Sequence, residues 1–159
     1  MYLNALEFLE EEREAFRPFE ALGALSDEQL ARPISAAHDW SGRDLIAHLV
    51  AWIESGIQVA KELAINEGSP TKEHMDREWD EGMGDAINAR ITADWRALPM
   101  DEVRRRFREW PGELRGYLTV VPETRWVKHA DNLQFFLDET IEHYAEHAAD
   151  LEAILDAAS

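Results

Sequence analysis

Two histidines four residues apart, in the run His143-Tyr144-Ala145-Glu146-His147, have the type and spacing to do chemistry. On a helix that spacing puts both imidazoles on one face, one turn from each other. Two such rings can share a divalent ion, but a usable site wants a third ligand. His48 offers it, in the middle of an apolar stripe formed by Leu45, Leu49, Trp52, Gly56, Val59 and Leu63. Three neutral imidazoles would leave an ion its full double charge and an open position, and water held there becomes acidic enough to yield hydroxide near neutral pH. The competing interpretation is three core histidines, each hydrogen-bonded to a neighbour.

The pattern is not that of the zincins, where glutamate directly follows the first histidine. Here Tyr144 follows, and Glu146 is turned about 100° from the histidine face, toward solvent. Glu139, one turn before His143, and Asp44, one turn before His48, are carboxylates that either orient the imidazoles or lie on the surface. Trp52, one turn beyond His48, either walls a pocket or packs in the core. Asn88 sits beside an apolar face, where it either meets a substrate or bonds between helices. His38, His74 and His129 lie in or beside loops with no ligand-like spacing around them. The Arg104–Arg106 and Arg108 cluster among glutamates reads as a solvated face.

These residues need helices to position them. Tyr2–Leu22 has Leu3, Leu6, Leu9, Phe16, Phe19 and Leu22 at helical spacing, with Pro18 set to kink or end the element. Ser26, with Gln29 after it, is a helix start that Pro33 keeps short. Ile34–Asp39 reads as loop. Ser41 caps the second long helix, and Asp44 suits its dipole. The polar, glycine-bearing stretch Asn66–Gly84 reads as the main loop. Asp85–Leu98 and Asp101–Val121 are helical, the second with a kink expected at Pro111. Thr124–Ala130 is a linker. Asp131 opens the last helix, whose apolar residues Leu133, Phe136, Leu137, Thr140, Tyr144, Leu151, Ile154 and Leu155 run without glycine or proline. By the same period His147 falls inside this stripe and His143 on its edge. Four long amphipathic helices and no strand-like alternation make an all-α bundle, read as one domain over residues 1–159.

Composition narrows the function. Sixteen Lys and Arg against 33 Asp and Glu give a formal charge of −17, which repels phosphate backbones and argues against nucleic-acid binding. No run of about 18 apolar residues exists to span a membrane. The acidic N-terminus lacks the basic region of a signal peptide, so a cytoplasmic location is expected. There is no cysteine, which excludes a cysteine nucleophile and leaves histidine and carboxylate as the expected metal ligands.

The motif Trp40-Ser41-x-x-Asp44-Leu45-x-x-His48-Leu49-x-x-Trp52, followed by His143-Tyr144-x-x-His147, resembles the DinB/YfiT-like superfamily. That group includes the metal-binding domain of mycothiol-dependent maleylpyruvate isomerases and the DfsB/ClbS-like proteins. The segment Asp85–Val121, with Ile87-Asn88-Ala89 and a helix start at Met100–Val103, is similar to those relatives too. The motifs are short, and their order and separation over nearly the whole chain carry the resemblance. It implies a four-helix bundle of up-down-down-up type, usually a homodimer. It also implies a divalent metal, zinc or nickel, on three histidines that map to His48, His143 and His147. Members act as thiol-dependent transferases or isomerases, or as hydrolases. The chain ends at Ser159, where some maleylpyruvate isomerases continue into a C-terminal domain, so an isomerase is expected less than a hydrolase or transferase.

Two functions follow. The first is a metal-dependent enzyme acting on a small-molecule substrate, activating water or an external low-molecular-weight thiol. The second is a non-catalytic bundle that binds or sequesters a small hydrophobic molecule. Metal content separates them.

Overall fold

The computed structural model describes residues 2–159, and all regular structure among them is helical apart from one isolated antiparallel bridge between Ile34 and Trp40. Helix α1 spans Ala5–Phe16, capped by Asn4, whose side chain accepts from Glu7 N. It gives way to a 3-10 segment, Arg17–Ala24, where Pro18 has no backbone N–H to continue the α-helical ladder. Its inward residues are Phe8, Glu12 and Phe16 at four-residue spacing, with Phe19 and Leu22 following. Leu3 and Leu6, expected inside, are exposed at 79% and 62%. The burial stripe starts from Phe8 and passes through a charged residue, which a purely apolar pattern skips.

Helix α2 is the single turn Asp27–Ala31, held by the capping box of Ser26 and Gln29. Helix α3, Gly42–Ile65, is the central element and packs most extensively on α6, then on α5. Ser41 accepts from Asp44 N while the Asp44 carboxylate accepts from Ser41 N, so the N-terminus is closed by its own side chains. Gly56 faces α6, where a Cβ would meet Leu114 at 3.5 Å, an ordinary van der Waals contact.

The stretch expected as the main loop contains helix α4, Pro70–Asp80. Ser69 caps it and Pro70 opens it, and none of its residues is fully buried. With no apolar stripe to bury, it has no periodic signal. Its start is held by Glu62 of α3, whose carboxylate accepts from Ser69 and Thr71. Helices α5, Gly84–Arg96, and α6, Met100–Leu118, follow; α6 carries the buried Pro111 without ending there. Arg104, Arg105 and Arg106 form ion pairs with Asp27, Glu102 and Glu109, but the face expected to be solvated is half-buried: Arg104 also donates to Leu25 O at 2.7 Å, and Arg106 lies over the Trp95 and Trp110 rings.

The last stretch departs most from expectation. It is three helices: α7, Ala130–Glu139; α8, Ile141–Glu146; and α9, Ala148–Ala158. The chain leaves helical geometry at Thr140 (φ −128°, ψ −97°) and at His147 (φ −106°, ψ 10°). The buried Thr140 hydroxyl donates to Phe136 O at 2.6 Å, a local bond that competes with the helix ladder. Among the described residues no helix is long and apolar enough to cross a membrane.

Candidate metal centre

His48 stands on α3, two turns in from the Ser41 cap. His143 is on α8, and His147 is the break residue between α8 and α9. Each offers a ring nitrogen, and these three atoms lie within 4.8 Å of one another, the only such group of three histidine or carboxylate ligands among the described residues. His143 Nε2 faces His48 Nε2 at 2.8 Å. The ring centroids are 4.7 Å apart for His48 with either partner and 5.0 Å for His143 with His147.

The helix break inverts the expected burial. His143 is buried and His147 only half-buried, because the backbone turns out of the helix at His147 and lifts that ring toward solvent. The break also lets Asp150, in the first turn of α9, place Oδ2 at 2.9 Å from His147 Nδ1. A carboxylate only accepts, so His147 donates from Nδ1, and the neutral ring in that tautomer carries its lone pair on Nε2. Asp150 is the orienting carboxylate that sequence reasoning missed. Its signal was there, three residues after His147, but it was hidden on a helix treated as regular.

Asp44 does not touch His48. Its carboxylate receives two bonds from Arg96 at 3.0 Å each, besides the cap bond from Ser41. Burial pushes its pKa up, but those bonds outweigh burial and hold it below the ordinary value. Glu139 is no surface carboxylate and no partner of His143. Its Oε2 is buried and bonds nothing, and burial, with Asp138 adding, raises its pKa well above the ordinary value. Glu146 is exposed, as expected. Trp52 Nε1 donates to Asn88 Oδ1 at 3.0 Å, a bond between α3 and α5 that uses both residues. The aromatic beside the histidines is instead Trp40, 5.5 Å from the His147 ring at 23° and 4.9 Å from the His48 ring.

Burial pushes the His48 pKa down to about 4 and that of His143 to about 3, with the neighbouring imidazoles adding to each. Both rings are therefore neutral at pH 7, the state a metal ligand requires. The donor set fits a divalent ion. It is all nitrogen, which suits zinc, nickel or cobalt better than magnesium or calcium. Two nitrogens about 2.0–2.1 Å from a tetrahedral zinc stand roughly 3.3 Å apart, so the His48 and His143 rings need open by only about half an ångström. The buried His143 Nδ1 has no partner among the described residues, so no hydrogen bond on that side opposes the adjustment.

Residues 9–152 match the mycothiol maleylpyruvate isomerase N-terminal domain family. The chain belongs to that family. The match takes in all three histidines, Trp40 and Asp150, and this family is one of the DinB/YfiT-like group. No curated protein and no solved structure matches the chain.

Proposed function

We propose that this protein is a metal-dependent enzyme that binds one divalent ion, zinc or nickel, on His48, His143 and His147, and activates water or a low-molecular-weight thiol against a small-molecule substrate. The observation that carries it is the convergence of three imidazole nitrogens, two on rings kept neutral by burial. When bound, the ion supplies the Lewis acidity that makes a water or thiol nucleophilic near neutral pH. The chain's residues do the rest. Asp150 holds the His147 tautomer, and Trp40 covers two rings and shields them from water. With no cysteine in the chain, any thiol comes from a cosubstrate, and the family's name makes mycothiol the first to try. The absence of any carboxylate from the cluster supports an open, electrophilic centre.

The up-down-down-up bundle and the homodimer belong to the same proposal and rest on the family; a cytoplasmic location is proposed beside them. The test is a screen of hydrolysis and thiol transfer, with and without mycothiol. Turnover that a chelator removes and zinc or nickel restores supports the proposal. Turnover indifferent to chelator would refute it. A non-catalytic binder is the second reading, supported by an apolar groove of about 510 Å³ lined by Phe19, Tyr144, Leu151 and Leu155. It predicts ligand binding unaffected by chelator.

A further inference from the structure

The loop between α2 and α3 reaches the same centre from outside. His38 (φ 58°) and Asp39 (φ 64°) are consecutive residues in the left-handed region, and no other described non-glycine residue has positive φ. Such backbone persists only where its surroundings enforce it, and it gathers at functional sites. Four backbone bonds enforce it here: Ala37 N to Ile34 O at 2.9 Å, and Asp39 N to Ile34 O, Trp40 N to Ala37 O and Ile34 N to Trp40 O at 3.0 Å each. The turn does two things. It sets Trp40 against the His48 and His147 rings, and it brings His38 Nδ1 to 3.0 Å from Asp150 Oδ1. Asp150 thus lies between two imidazoles, His38 on Oδ1 and His147 on Oδ2. The His38 side chain is 81% exposed while that of Asp150 is 8% exposed. An exposed ring in a strained backbone adds little to stability, since water competes for its bond.

We propose that His38 is a positioning residue of the metal centre. Its Nδ1–H fixes one oxygen of Asp150, which stops the carboxylate rotating and leaves the other oxygen aimed at His147. His147 is then held as the Nδ1–H tautomer with Nε2 presented to the ion. This rests on the metal reading above.

Two variants test it. His38→Gly suits the left-handed backbone and removes the donor. His38→Asn tolerates the same backbone and keeps an N–H donor on Cγ, where the imidazole carries Nδ1. Zinc affinity is measured by competition with a chelator, and the His147 tautomer by imidazole nitrogen NMR on the zinc-free protein. His38→Gly should bind zinc about tenfold more weakly, as outer partners of metal-bound histidines do, and should show mixed His147 tautomers. His38→Asn should restore both. An unchanged zinc affinity in His38→Gly would overturn the proposal. Should the parent protein fail to bind zinc, the metal reading falls. The tautomer readout then decides alone whether His38 positions His147, and a single Nδ1–H form in His38→Gly says that it does not.

Discussion

His143 and Tyr144 are neighbours on α8 and serve two buried polar clusters of opposite character. The Tyr144 hydroxyl donates to Glu12 Oε1 at 2.8 Å, and Glu12 also accepts two bonds from Arg115. Phe16 and Phe19 pack on the tyrosine ring at 5.3 and 5.7 Å. That cluster is complete: charge meets charge, and each buried group has a partner. On the other side, His143 turns one nitrogen toward His48 and leaves its other nitrogen unpartnered. Buried polar groups cost free energy unless bonded, so a fold built only for stability would pair them. The chain does so around Tyr144. Around His143 it aims ring nitrogens at one another, the arrangement a cation satisfies. The first cluster ties α1 to α6 and α8, and the second has the geometry to receive an ion.

The largest expected effect comes from breaking the complete cluster. Glu12→Leu strands Arg115 and the Tyr144 hydroxyl, and removing one partner of a buried ion pair costs about 3–5 kcal/mol. At roughly 2–4 °C per kcal/mol for a chain of this size, the melting temperature should fall by about 10 °C. Thermal unfolding that moved by under a degree or two would show that the cluster is not structural.

Acid should act next, and through the other cluster. In the metal-free protein, unfolding raises His48 and His143 from about 4 and about 3 to the ordinary 6.5. The unfolded state then binds more protons, so stability falls as pH drops below 6.5 toward 4. Glu139 acts with the opposite sign: its raised pKa removes stability as pH climbs above 4.5. Glu139→Gln should remove that second slope and leave the first. Denaturant titrations at several pH values separate the two. Stability that did not fall between pH 6.5 and 4 in Glu139→Gln would remove the claim that the histidines are buried neutral.

The smallest effect sharpens the contrast. His143→Leu removes the unpartnered Nδ1 but also the bond to His48 Nε2, so the metal-free protein should lose about 1–3 kcal/mol, offset in part by the apolar side chain. A loss like that of Glu12→Leu would make the two clusters alike.

Much of this was legible in the sequence. The Ser41–Asp44 cap and the regular stripe of α3 put His48 inside, because a long buried helix writes its face into its spacing. The His143 and His147 pair was visible for the same reason. The breaks at Thr140 and His147 were not, since no glycine or proline marks them; Thr140 bends the chain through a local hydroxyl bond to Phe136 O that the residue type alone does not announce. Asp150 and His38 followed those breaks out of sight, because their roles depend on where α9 starts and on a left-handed turn. Glu12 was passed over because a charged residue between Phe8 and Phe16 looks solvated until Arg115, 103 residues away, is seen to meet it.

The central claim is that His48, His143 and His147 bind one ion together. Zinc titration of the parent, His147→Ala and His74→Ala at pH 7 tests it most directly; His74 is an exposed residue paired with Glu78 on α4. The parent and His74→Ala should each take up one equivalent at the same affinity, and His147→Ala should show no such saturable site. One equivalent bound by His147→Ala as tightly as by the parent would contradict the claim.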